Sequence, residues 1–533
     1  MKTTLTAAII LAITGTATAN EFDDIARGTV FLDENQNGLR DAAEPGIRGV
    51  RVSNGIDVVL TDDAGRYELP VTDDTIVFVI KPRDYKTPVN EDNLPRFYYI
   101  HKPAGSPTYL NFRGVDPTGP LPTAVDLPLI ASPEPDRFDI LVFGDTQPYS
   151  QDQINYITHD VIEEVVGIDA AFGISLGDLV GDNLGFFHPI NDVVSTIGIP
   201  FHNVYGNHDM NFDVSAENEH LADETFERVY GPTTYSFDYG PVHFIIFDNV
   251  LYLGEGNGYW SSVTEKDLTF IANSLATADP DQQIVLASHI PWNEINNLDK
   301  LLGLLDDFPH TFSLSSHWHK QHHWFFGSDR GFDRPGGHHH LVHNTVSGSW
   351  WNGAPDEFGI PHTMMRDGGP NGYSIITFDD NGIPEADGKK YSIRYKAAGK
   401  PADEQMHIFL DSVILASDTA KEVVVNFWAG SERCTVEMRV PGQDWTPLEY
   451  TIRPDPYFEQ LKARETMLKN RLGVERLQGM IEVGSELPNP NDSTHIWTGT
   501  LPAGLPKGGH AIEFRATDIF GQTHSGVRII HVR

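Results

Sequence analysis

The sequence predicts a chain of several domains, in which a layered α/β domain lies between two β-sandwich domains. Its 533 residues correspond to about three domains of ordinary size. Within residues 137–384, apolar runs typical of buried strands alternate with stretches of helical spacing, as in a layered α/β domain. In residues 20–130 and 385–533, short β-branched or alternating runs stand between turn residues, which is typical of β-sandwiches.

The N-terminal domain, residues 20–130, is predicted from short β-branched runs. Residues 81–130 are rich in proline and aromatic residues and show no clear period. The proline-rich, acidic residues 131–136 are predicted to be a linker to the next domain. The predicted strands are residues 29–32, 50–52, 58–60 and 66–69.

The central domain, residues 137–384, carries its polar motifs directly after apolar runs. In layered α/β domains the chemistry lies beyond the carboxyl ends of the strands, so these motifs are candidate site residues. The predicted elements are strands at residues 138–143, 170–176, 201–205, 242–247 and 284–287, and a helix at 152–166. In the C-terminal domain, residues 385–533, strands are predicted at 423–428 and 511–516 and a helix at 457–470.

Residues 1–19 have the features of a secretory signal peptide. Lys2 precedes the apolar run at residues 7–13, and Ala17-Thr18-Ala19 has the small residues of a cleavage site. We therefore expect a secreted or periplasmic protein that is cleaved near Ala19. No later stretch is long and apolar enough to predict a membrane span. With Cys434 as its single cysteine, the chain has no internal disulfide, and Cys434 lies in an alternating run typical of a core strand.

The chain is strongly acidic, with 38 Lys and Arg residues against 75 Asp and Glu residues and a formal net charge of −37. Such a charge repels nucleic acids and anionic lipids at long range, so no nucleic-acid partner is expected. An anionic small molecule could still bind at a local cationic centre, which bound metal ions would supply. Composition leaves the oligomeric state undetermined.

A series of polar motifs follows the apolar runs of the central domain. A single Asp after a strand is usually a cap or turn residue, and a single His is usually satisfied by ordinary contacts. Asp, Asn and His residues in an ordered series behind strands are instead the donors of a metal site. The motifs are Gly144-Asp145-Thr146-Gln147, Gly177-Asp178-Leu179-Val180-Gly181-Asp182, Gly206-Asn207-His208-Asp209, Ser288-His289-Ile290-Pro291 and Ser316-His317-Trp318-His319.

This series resembles the calcineurin-like metallophosphoesterase superfamily, whose pattern is Asp-x-His, Gly-Asp, Gly-Asn-His-Asp/Glu, a single His and Gly-His-x-His. The resemblance covers residues 137–380 and implies an α/β/β/α-type layered sandwich. The whole chain is similar to a secreted bacterial three-domain type with β-rich modules at both ends. That wider resemblance is carried by Asn426-Phe427-Trp428, His495-Ile496-Trp497 and Gly509-His510 with Asp518.

The resemblance implies a dinuclear centre of Mn, Fe, Zn or Mg, with Asp178 as the bridging ligand. The paired ions would clamp a phosphoryl group and make hydroxide from bound water near neutral pH. His208 would protonate the leaving oxygen and Asp209 would orient His208, whereas Asp182 is expected to be a loop cap. The remaining ligands would be Asp145, Gln147 and His319 for the first metal, and Asn207, His289 and His317 for the second.

The predicted function is a secreted metal-dependent phosphoesterase that hydrolyses phosphomonoesters or phosphodiesters of small molecules. The alternative is an exported binding or scaffold protein that keeps the fold but has lost catalysis. Intact His208 and Asp178 favour the enzyme. Gln147 departs from the family pattern, which commonly has His there, and an amide oxygen is a weaker ligand than imidazole for a transition metal.

Two Gly-rich loops after the last motif carry candidate substrate-binding residues. Trp350 and Trp351 lie in the first loop, and Asn371 and Tyr373 in the second. Two roles fit these side chains equally well: contact with the substrate, or packing in a buried domain interface.

A calcium site is predicted in the N-terminal domain, in residues 33–44. The loop has oxygen-bearing side chains at the spacing by which a 12-residue loop wraps Ca²⁺, with Gly38 at the sharp turn. The alternative is an ordinary Asn/Asp turn. The predicted ligands are Asp33, Asn35, Asn37, Leu39 through its carbonyl, Asp41 and Glu44.

Overall fold

A computed structural model describes residues 24–386, 388–418, 421–472 and 486–533. The predicted signal peptide lies outside the described residues. Among the helices in these ranges, none has the length and apolar character that crossing a membrane requires.

Residues 24–131 form two four-stranded sheets, with strand orders β4-β1-β8-β6 and β3-β2-β5-β7. Val30 of one sheet and Val77 of the other are fully buried in the same apolar core. Each of the predicted strands of this region is present. The strands are β1 (Asp24–Leu32), β2 (Arg51–Ser53), β3 (Val58–Leu60), β4 (Arg66–Val71), β5 (Thr75–Ile80), β6 (Tyr85–Lys86), β7 (Tyr98–His101) and β8 (Leu127–Ala131).

The central region begins at β9, after the short connection of residues 132–136. It has a five-stranded sheet of order β11-β10-β9-β20-β21, a six-stranded sheet of order β12-β13-β16-β17-β19-β18, and the hairpin β14-β15. The strands are β9 (Arg137–Phe143), β10 (Gly173–Ser175), β11 (Phe201–Asn203), β12 (Tyr235–Tyr239), β13 (Val242–Ile246), β14 (Val250–Tyr252), β15 (Tyr259–Ser261), β16 (Gln283–Ala287), β17 (Thr311–Ser315), β18 (His322–Phe326), β19 (His338–Val342), β20 (Gly372–Ile383) and β21 (Lys389–Ala397).

Helices of the central region pack on these sheets. The α-helices are α1 (Gln151–Ile157), α2 (Glu163–Val165), α3 (Phe187–Ser195), α4 (Glu224–Tyr230), α5 (Glu265–Leu275) and α6 (Leu298–Gly303), and a π-helical turn at Thr158–Ile162 joins α1 to α2. Short 3-10 turns occur at Leu184–Phe186, Ala216–Leu221, Trp292–Glu294, Ser328–Arg330 and Pro384–Ala386. The helix predicted at residues 152–166 is confirmed, with the π turn in its middle.

Strand β9 separates two apolar cores because its side chains alternate between the faces of its sheet. Ile140 and Val142 join the core shared with the six-stranded sheet. Leu141 and Phe143 join the core that contains α1 and α3. Residues of α5 and α6 pack into the first core from beyond the six-stranded sheet. All of these β9 side chains are fully buried, which explains the continuous apolar run in the sequence.

Parallel pairing brings the predicted motifs to the same ends of the two sheets. Strand β10 pairs parallel with both β9 and β11, and β16 pairs parallel with β17. Asp145, Asp178 and Asn207 follow β9, β10 and β11, whereas His289 and His317 follow β16 and β17. The loops of both sheets can therefore contribute to one site.

The boundary predicted at residues 384 and 385 is wrong. Strand β21 pairs antiparallel with β20 and forms the edge of the central five-stranded sheet. Its residues Tyr395 and Ala397 are buried. The sequence change at residue 385 reflects an antiparallel edge strand added to a parallel sheet, because such a strand alternates like a sandwich strand.

From residue 406 the chain forms two further sheets, of orders β22-β24-β28-β27 and β23-β30-β29-β25-β26, which share one apolar core. Cys434 is buried in that core, as its sequence pattern indicates. The strands are β22 (Met406–Phe409), β23 (Val413–Ile414), β24 (Glu422–Phe427), β25 (Thr435–Arg439), β26 (Thr446–Pro447), β27 (Glu449–Pro454), β28 (Asp492–Thr500), β29 (Gly508–Thr517) and β30 (Thr523–Val532), and α7 is Pro456–Leu472.

Candidate metal centre

The strand-end loops converge on one buried group of metal-ligand side chains. Within the described residues, Asp178, His289 and His317 are the group whose ligand atoms all lie within 4.8 Å of one another. Asp178 and His289 are almost completely buried. Residues more than a hundred positions apart in the sequence are thus brought within coordinating distance of one ion.

His289 is held so that one ring nitrogen points into this group. Its Nδ1 donates a hydrogen bond to the Leu176 carbonyl oxygen at 2.8 Å. Its Nε2 then lies 3.1 Å from Asp178 Oδ2 and 3.0 Å from Asn207 Oδ1. His317 Nδ1 lies 3.2 Å from the same His289 nitrogen. The backbone contact fixes the ring so that Nε2 is the nitrogen available to a metal.

The predicted ligands of the first metal lie beside this group. His319 Nδ1 donates to the Gly348 carbonyl oxygen at 2.6 Å, and His319 Nε2 lies 3.2 Å from Asp145 Oδ2. Asp145 Oδ2 and Gln147 Oε1 are buried oxygens that accept no hydrogen bond. Because buried oxygens are nearly always partnered, two such acceptors beside imidazole nitrogens fit a divalent cation. Gln147, the departure from the family pattern, thus has its oxygen free to be a ligand.

Backbone strain is concentrated in these loops. The φ angles are +20° at Asp145, +38° at Gln147, +49° at Asp178, +70° at His317 and +50° at His319. Residues other than Gly rarely adopt such backbone angles, which cost roughly 1–3 kcal/mol each and occur mainly at functional sites. The left-handed turns direct successive ligands toward the same point.

Opposite charges dominate the electrostatics of the metal-free centre. Burial lowers the pKa of His289, but the charge and hydrogen bond of Asp178, together with the Asp145 charge and the Leu176 carbonyl, outweigh burial and raise that pKa to about 9. Burial and the positive charge of His289 lower the pKa of His317 to about 4. Burial raises the pKa of Asp178, but the neighbouring His289 and His208 hold it below its usual range. The Asp178 carboxylate therefore stays ionised, and its buried negative charge favours positive charge nearby.

His208 lies at the edge of this centre, but its partner is not the predicted one. His208 Nδ1 contacts Asp182 Oδ1 at 2.5 Å, and the His208 amide donates to Asp178 Oδ1 at 2.8 Å. Burial lowers the pKa of His208, but the charges of Asp178 and Asp182 raise it to about 9. Asp182, which was expected to be a loop cap, therefore orients the His208 ring and raises its pKa.

The prediction that Asp209 orients His208 is wrong. The fully buried Asp209 carboxylate accepts hydrogen bonds from the amides of Leu179 at 2.9 Å, Val180 at 3.3 Å and Gly206 at 3.0 Å. These bonds join the loop after β10 to the loop after β11. Asp209 therefore supports the backbone that carries Asp178, whereas the His208 ring is paired with Asp182.

Three of the four residues predicted to bind substrate have buried side chains, and their role in binding stays a prediction. Trp351 is 1% exposed and packs on Tyr156 in the apolar core. Asn371 donates to Asp160 Oδ2 at 2.6 Å and to the Val346 carbonyl oxygen at 3.1 Å. Tyr373 is 4% exposed at the start of β20. The Trp350 ring packs on a predicted ligand, with its centroid 4.2 Å from that of His319.

Two tyrosines beside the centre were missed by the sequence analysis. Tyr149 accepts from Gln147 Nε2 at 3.3 Å, and its ring lies 6.1 Å from the His208 ring. The Tyr259 ring lies 6.0 Å from the His317 ring. Tyr149 follows the first motif by two residues, so its sequence position was a usable signal. Tyr259 lies on the hairpin β14-β15, far from any motif, and no sequence signal indicated it.

The predicted calcium loop closes through its own hydrogen bonds. Asp33 accepts from the amides of Asn37 at 3.1 Å and Gly38 at 2.8 Å. Glu44 accepts from the amides of Glu34 at 3.0 Å and Asp41 at 2.9 Å. The loop is therefore closed in the way that the predicted site requires. An ordinary Asn/Asp turn would use the same oxygens as acceptors, so calcium binding stays a prediction.

Two family models match the chain. The model described as the N terminal of calcineurin-like phosphoesterase matches residues 34–116, and the model described as the C terminal of calcineurin-like phosphoesterase matches residues 340–524. The ligand residues from Asp145 to His319 lie between these two matches, so the motifs and the models are separate observations. No curated protein sequence matches the chain.

The solved structures that match the chain are distant. A purple acid phosphatase, PPD1, from yellow lupin (Lupinus luteus) seeds is 14% identical, with a TM-score of 0.36 and coverage of 70% of this chain. The match spans 66% of the lupin protein, just under two thirds of its length. PhoD is 10% identical, with a TM-score of 0.37 and coverage of 75% of this chain and 89% of PhoD.

Gly206→Ala should disrupt the centre without unfolding the protein. A Cβ at Gly206 would lie 2.1 Å from the Asp178 amide nitrogen and 2.4 Å from Asp178 Oδ1, so Asp178 must move. We expect metal affinity, measured by calorimetric titration of chelator-treated protein with Mn²⁺ or Zn²⁺, to fall at least about tenfold. The matched control is Gly303→Ala, where a Cβ meets nothing within 4 Å. Equal affinities of the two variants would contradict the placement of Asp178.

Proposed function

We propose that this chain, which belongs to the calcineurin-like metallophosphoesterases, is a secreted enzyme that hydrolyses phosphate esters of small molecules with a dinuclear metal centre. The observation that carries the proposal is the convergence of Asp178, His289 and His317 beside two buried oxygens, Asp145 Oδ2 and Gln147 Oε1, that accept no hydrogen bond. A charged metal cluster is what an acidic protein needs to hold an anionic substrate.

The proposed ligands divide into two sets that share Asp178. Two divalent ions, from among Mn, Fe, Zn and Mg, would polarise the phosphoryl group and supply the nucleophile at neutral pH. Imidazole, carboxylate and amide donors together suit such ions. The first set is Asp145, Gln147, Asp178 and His319, and the second is Asp178, Asn207, His289 and His317.

His208 is the proposed general acid. Asp182 holds the ring at Nδ1, which leaves Nε2 as the nitrogen that can give a proton to the leaving oxygen. A raised pKa keeps the ring protonated at neutral pH in the metal-free protein, and bound cations would oppose that rise. Tyr149 and Tyr259 lie beside His208 and His317, where they can contact the ester group of a substrate.

The domain organisation supports this function. We propose a central α/β/β/α layered domain, with cores on both faces of the five-stranded sheet, between N-terminal and C-terminal β-sandwich domains.

Residues 1–19 would direct export and be removed near Ala19. Both monoesters and diesters fit the centre, so the assay below includes each.

The direct test is hydrolysis of an aryl phosphate and an aryl phosphodiester by chelator-treated protein with Mn²⁺, Mg²⁺ or Zn²⁺ added back. We expect turnover that depends on metal, and its loss in Asp178→Asn, because a neutral amide bridges two dications poorly. The Asp178→Asn protein should also bind less metal. A folded protein that binds metal but hydrolyses neither ester would instead support the scaffold alternative.

Asp182→Asn should change the pH dependence of hydrolysis. His208 must be protonated to act as an acid, and Asp182 helps to raise its pKa. Removal of that charge lowers the pKa, so the alkaline limb of the kcat profile should move to lower pH by roughly one unit or more. Below that limb, where His208 is protonated in both proteins, rates should differ much less.

The control for this experiment is Asp281→Asn, which removes the same charge from an exposed turn. Its profile should match that of the parent protein. If Asp182→Asn also keeps the parental alkaline limb, then His208 is not the acid or Asp182 does not tune it.

Calcium should stabilise the N-terminal domain if residues 33–44 bind it, because an ion that binds only the folded state raises the melting temperature. In the full chain, Asp33→Ala with Glu44→Ala should abolish the calcium-dependent rise of the first thermal transition. The control pair Asp62→Ala with Asp63→Ala changes acids of the neighbouring turn outside the loop. A rise that survives in the Asp33 and Glu44 double variant would exclude this site.

A further inference from the structure

We propose that His495, in the C-terminal β-sandwich domain, is a positioning residue for the first metal subsite. It would act through Asp367 on the two contacts that hold His319. The inference rests on the proposed dinuclear centre and adds to it a role for the C-terminal domain. Its elements are a buried hydrogen-bond relay and the backbone contacts that continue it to His319.

The relay is a set of four buried polar side chains between the central and C-terminal domains. His495 Nε2 lies 2.9 Å from Asp367 Oδ2, and His495 Nδ1 lies 2.6 Å from Asn426 Oδ1. Asn426 Nδ2 donates to Asp455 Oδ2 at 2.9 Å and to the Asp367 carbonyl oxygen at 3.2 Å. All four residues are at most 1% exposed.

These contacts determine how the Asn426 amide is oriented. The Asn426 amide nitrogen faces two acceptors, so its oxygen must be the atom that faces His495. Both His495 ring nitrogens then face oxygen atoms, Nδ1 that of Asn426 and Nε2 that of Asp367. The contact with His495 helps to hold the pKa of Asp367 below its usual range against burial.

Asp367 continues this pair to the loop that carries the metal ligands. Its Oδ2, the atom that contacts His495, also accepts from the Gln321 amide at 2.9 Å. Gln321 follows His319 by two residues, and His319 has a left-handed φ of +50°. A carboxylate held in place by His495 therefore fixes the backbone exit of the strained turn that directs His319 to the centre.

The segment that leads to Asp367 supports the other contact of His319. The Gly348 carbonyl oxygen accepts from His319 Nδ1, and a Cβ at Gly348 would lie 1.6 Å from the Thr363 carbonyl oxygen. Thr363 Oγ1 donates to the Ser347 carbonyl oxygen at 2.7 Å. Segment 363–369 is thus packed against residues 347–348, so a displacement of Asp367 would loosen both ends of His319.

The C-terminal domain encloses the same segment on its other side. A Cβ at Gly368 would lie 2.3 Å from the Asp455 Cβ, and the Arg366 carbonyl oxygen accepts from the Asn491 amide at 2.9 Å. Asp455 also accepts from the Phe458 amide at the start of α7. A loop enclosed this tightly transmits a change at His495 to the metal ligands instead of absorbing it.

Two substitutions in the full chain test the relay. The amide nitrogen of His495→Gln can take the place of ring Nε2 and still donate to Asp367. The shorter side chain of His495→Asn reaches only the position of ring Nδ1 and leaves Asp367 without its partner. The two variants are similar in polarity and buried volume, so a purely structural cost falls on both, whereas the positioning role separates them.

Metal binding is measured by calorimetric titration of each chelator-treated variant with Mn²⁺. In His495→Asn we expect one of the two binding steps to weaken about 10–100-fold, the usual effect of losing a group that orients a ligand, with the other step unchanged. His495→Gln should stay close to the parent protein. Hydrogen–deuterium exchange of residues 316–323 should accelerate in the Asn variant only.

The matched control is His524→Asn, since His524 pairs with Asp518 on the other sheet of the same domain, at 3.5 Å. It should leave both binding steps unchanged. If His495→Asn does not fold, Asp367→Asn, which removes only the charge, is titrated instead and should weaken the same step. Parental affinity for both ions in a folded His495→Asn or Asp367→Asn would overturn the positioning role. A parent protein that binds no second ion would instead overturn the proposed function.

Discussion

The structure depends on the burial of two carboxylates, Asp145 and Asp178, at the ends of adjacent parallel strands. A buried charge is costly unless opposite charge and hydrogen bonds compensate it. Here the backbone amides of His208 and His317 donate to these carboxylates, and the imidazoles of His289 and His319 lie beside them. The unpartnered Asp145 Oδ2 and Gln147 Oε1 make the centre a candidate site for cations, and the left-handed turns around it are stable only because the surrounding packing holds them.

The supports of this centre come from beyond the strands that carry the ligands. Asp209 joins the loops after β10 and β11 through three backbone amides. Gly348 orients His319, and the segment behind it reaches the C-terminal domain at Asp367 and His495. A divalent-metal site tolerates little displacement of its ligands, so supports of this kind contribute to affinity as the ligands do. The proposed relay would give the C-terminal sheets a physical role at the centre.

The acidic composition and the proposed metal centre would have complementary effects on substrate choice. A net charge of −37 opposes long polyanions at long range, whereas bound metal ions would attract a single phosphoryl group at short range. Tyr149, Tyr259 and Trp350 provide aromatic surface at the centre. This combination is consistent with the proposal that the substrates are phosphate esters of small molecules.

The sequence by itself determined many of the strands, the order of the motifs and the candidate ligand residues. An apolar run that ends in Asp, Asn or His indicates both a buried strand and a candidate site residue at its end, as at β9 and Asp145. Only the tertiary structure decided which side chains meet. It paired His208 with Asp182 instead of Asp209, buried Trp351 and Tyr373, assigned β21 to the central sheet, and joined Asp367 to His495 across 128 positions. Local patterns reflect periodicity and backbone preference, whereas these contacts depend on loop closure and domain packing, which leave no fixed spacing in the chain.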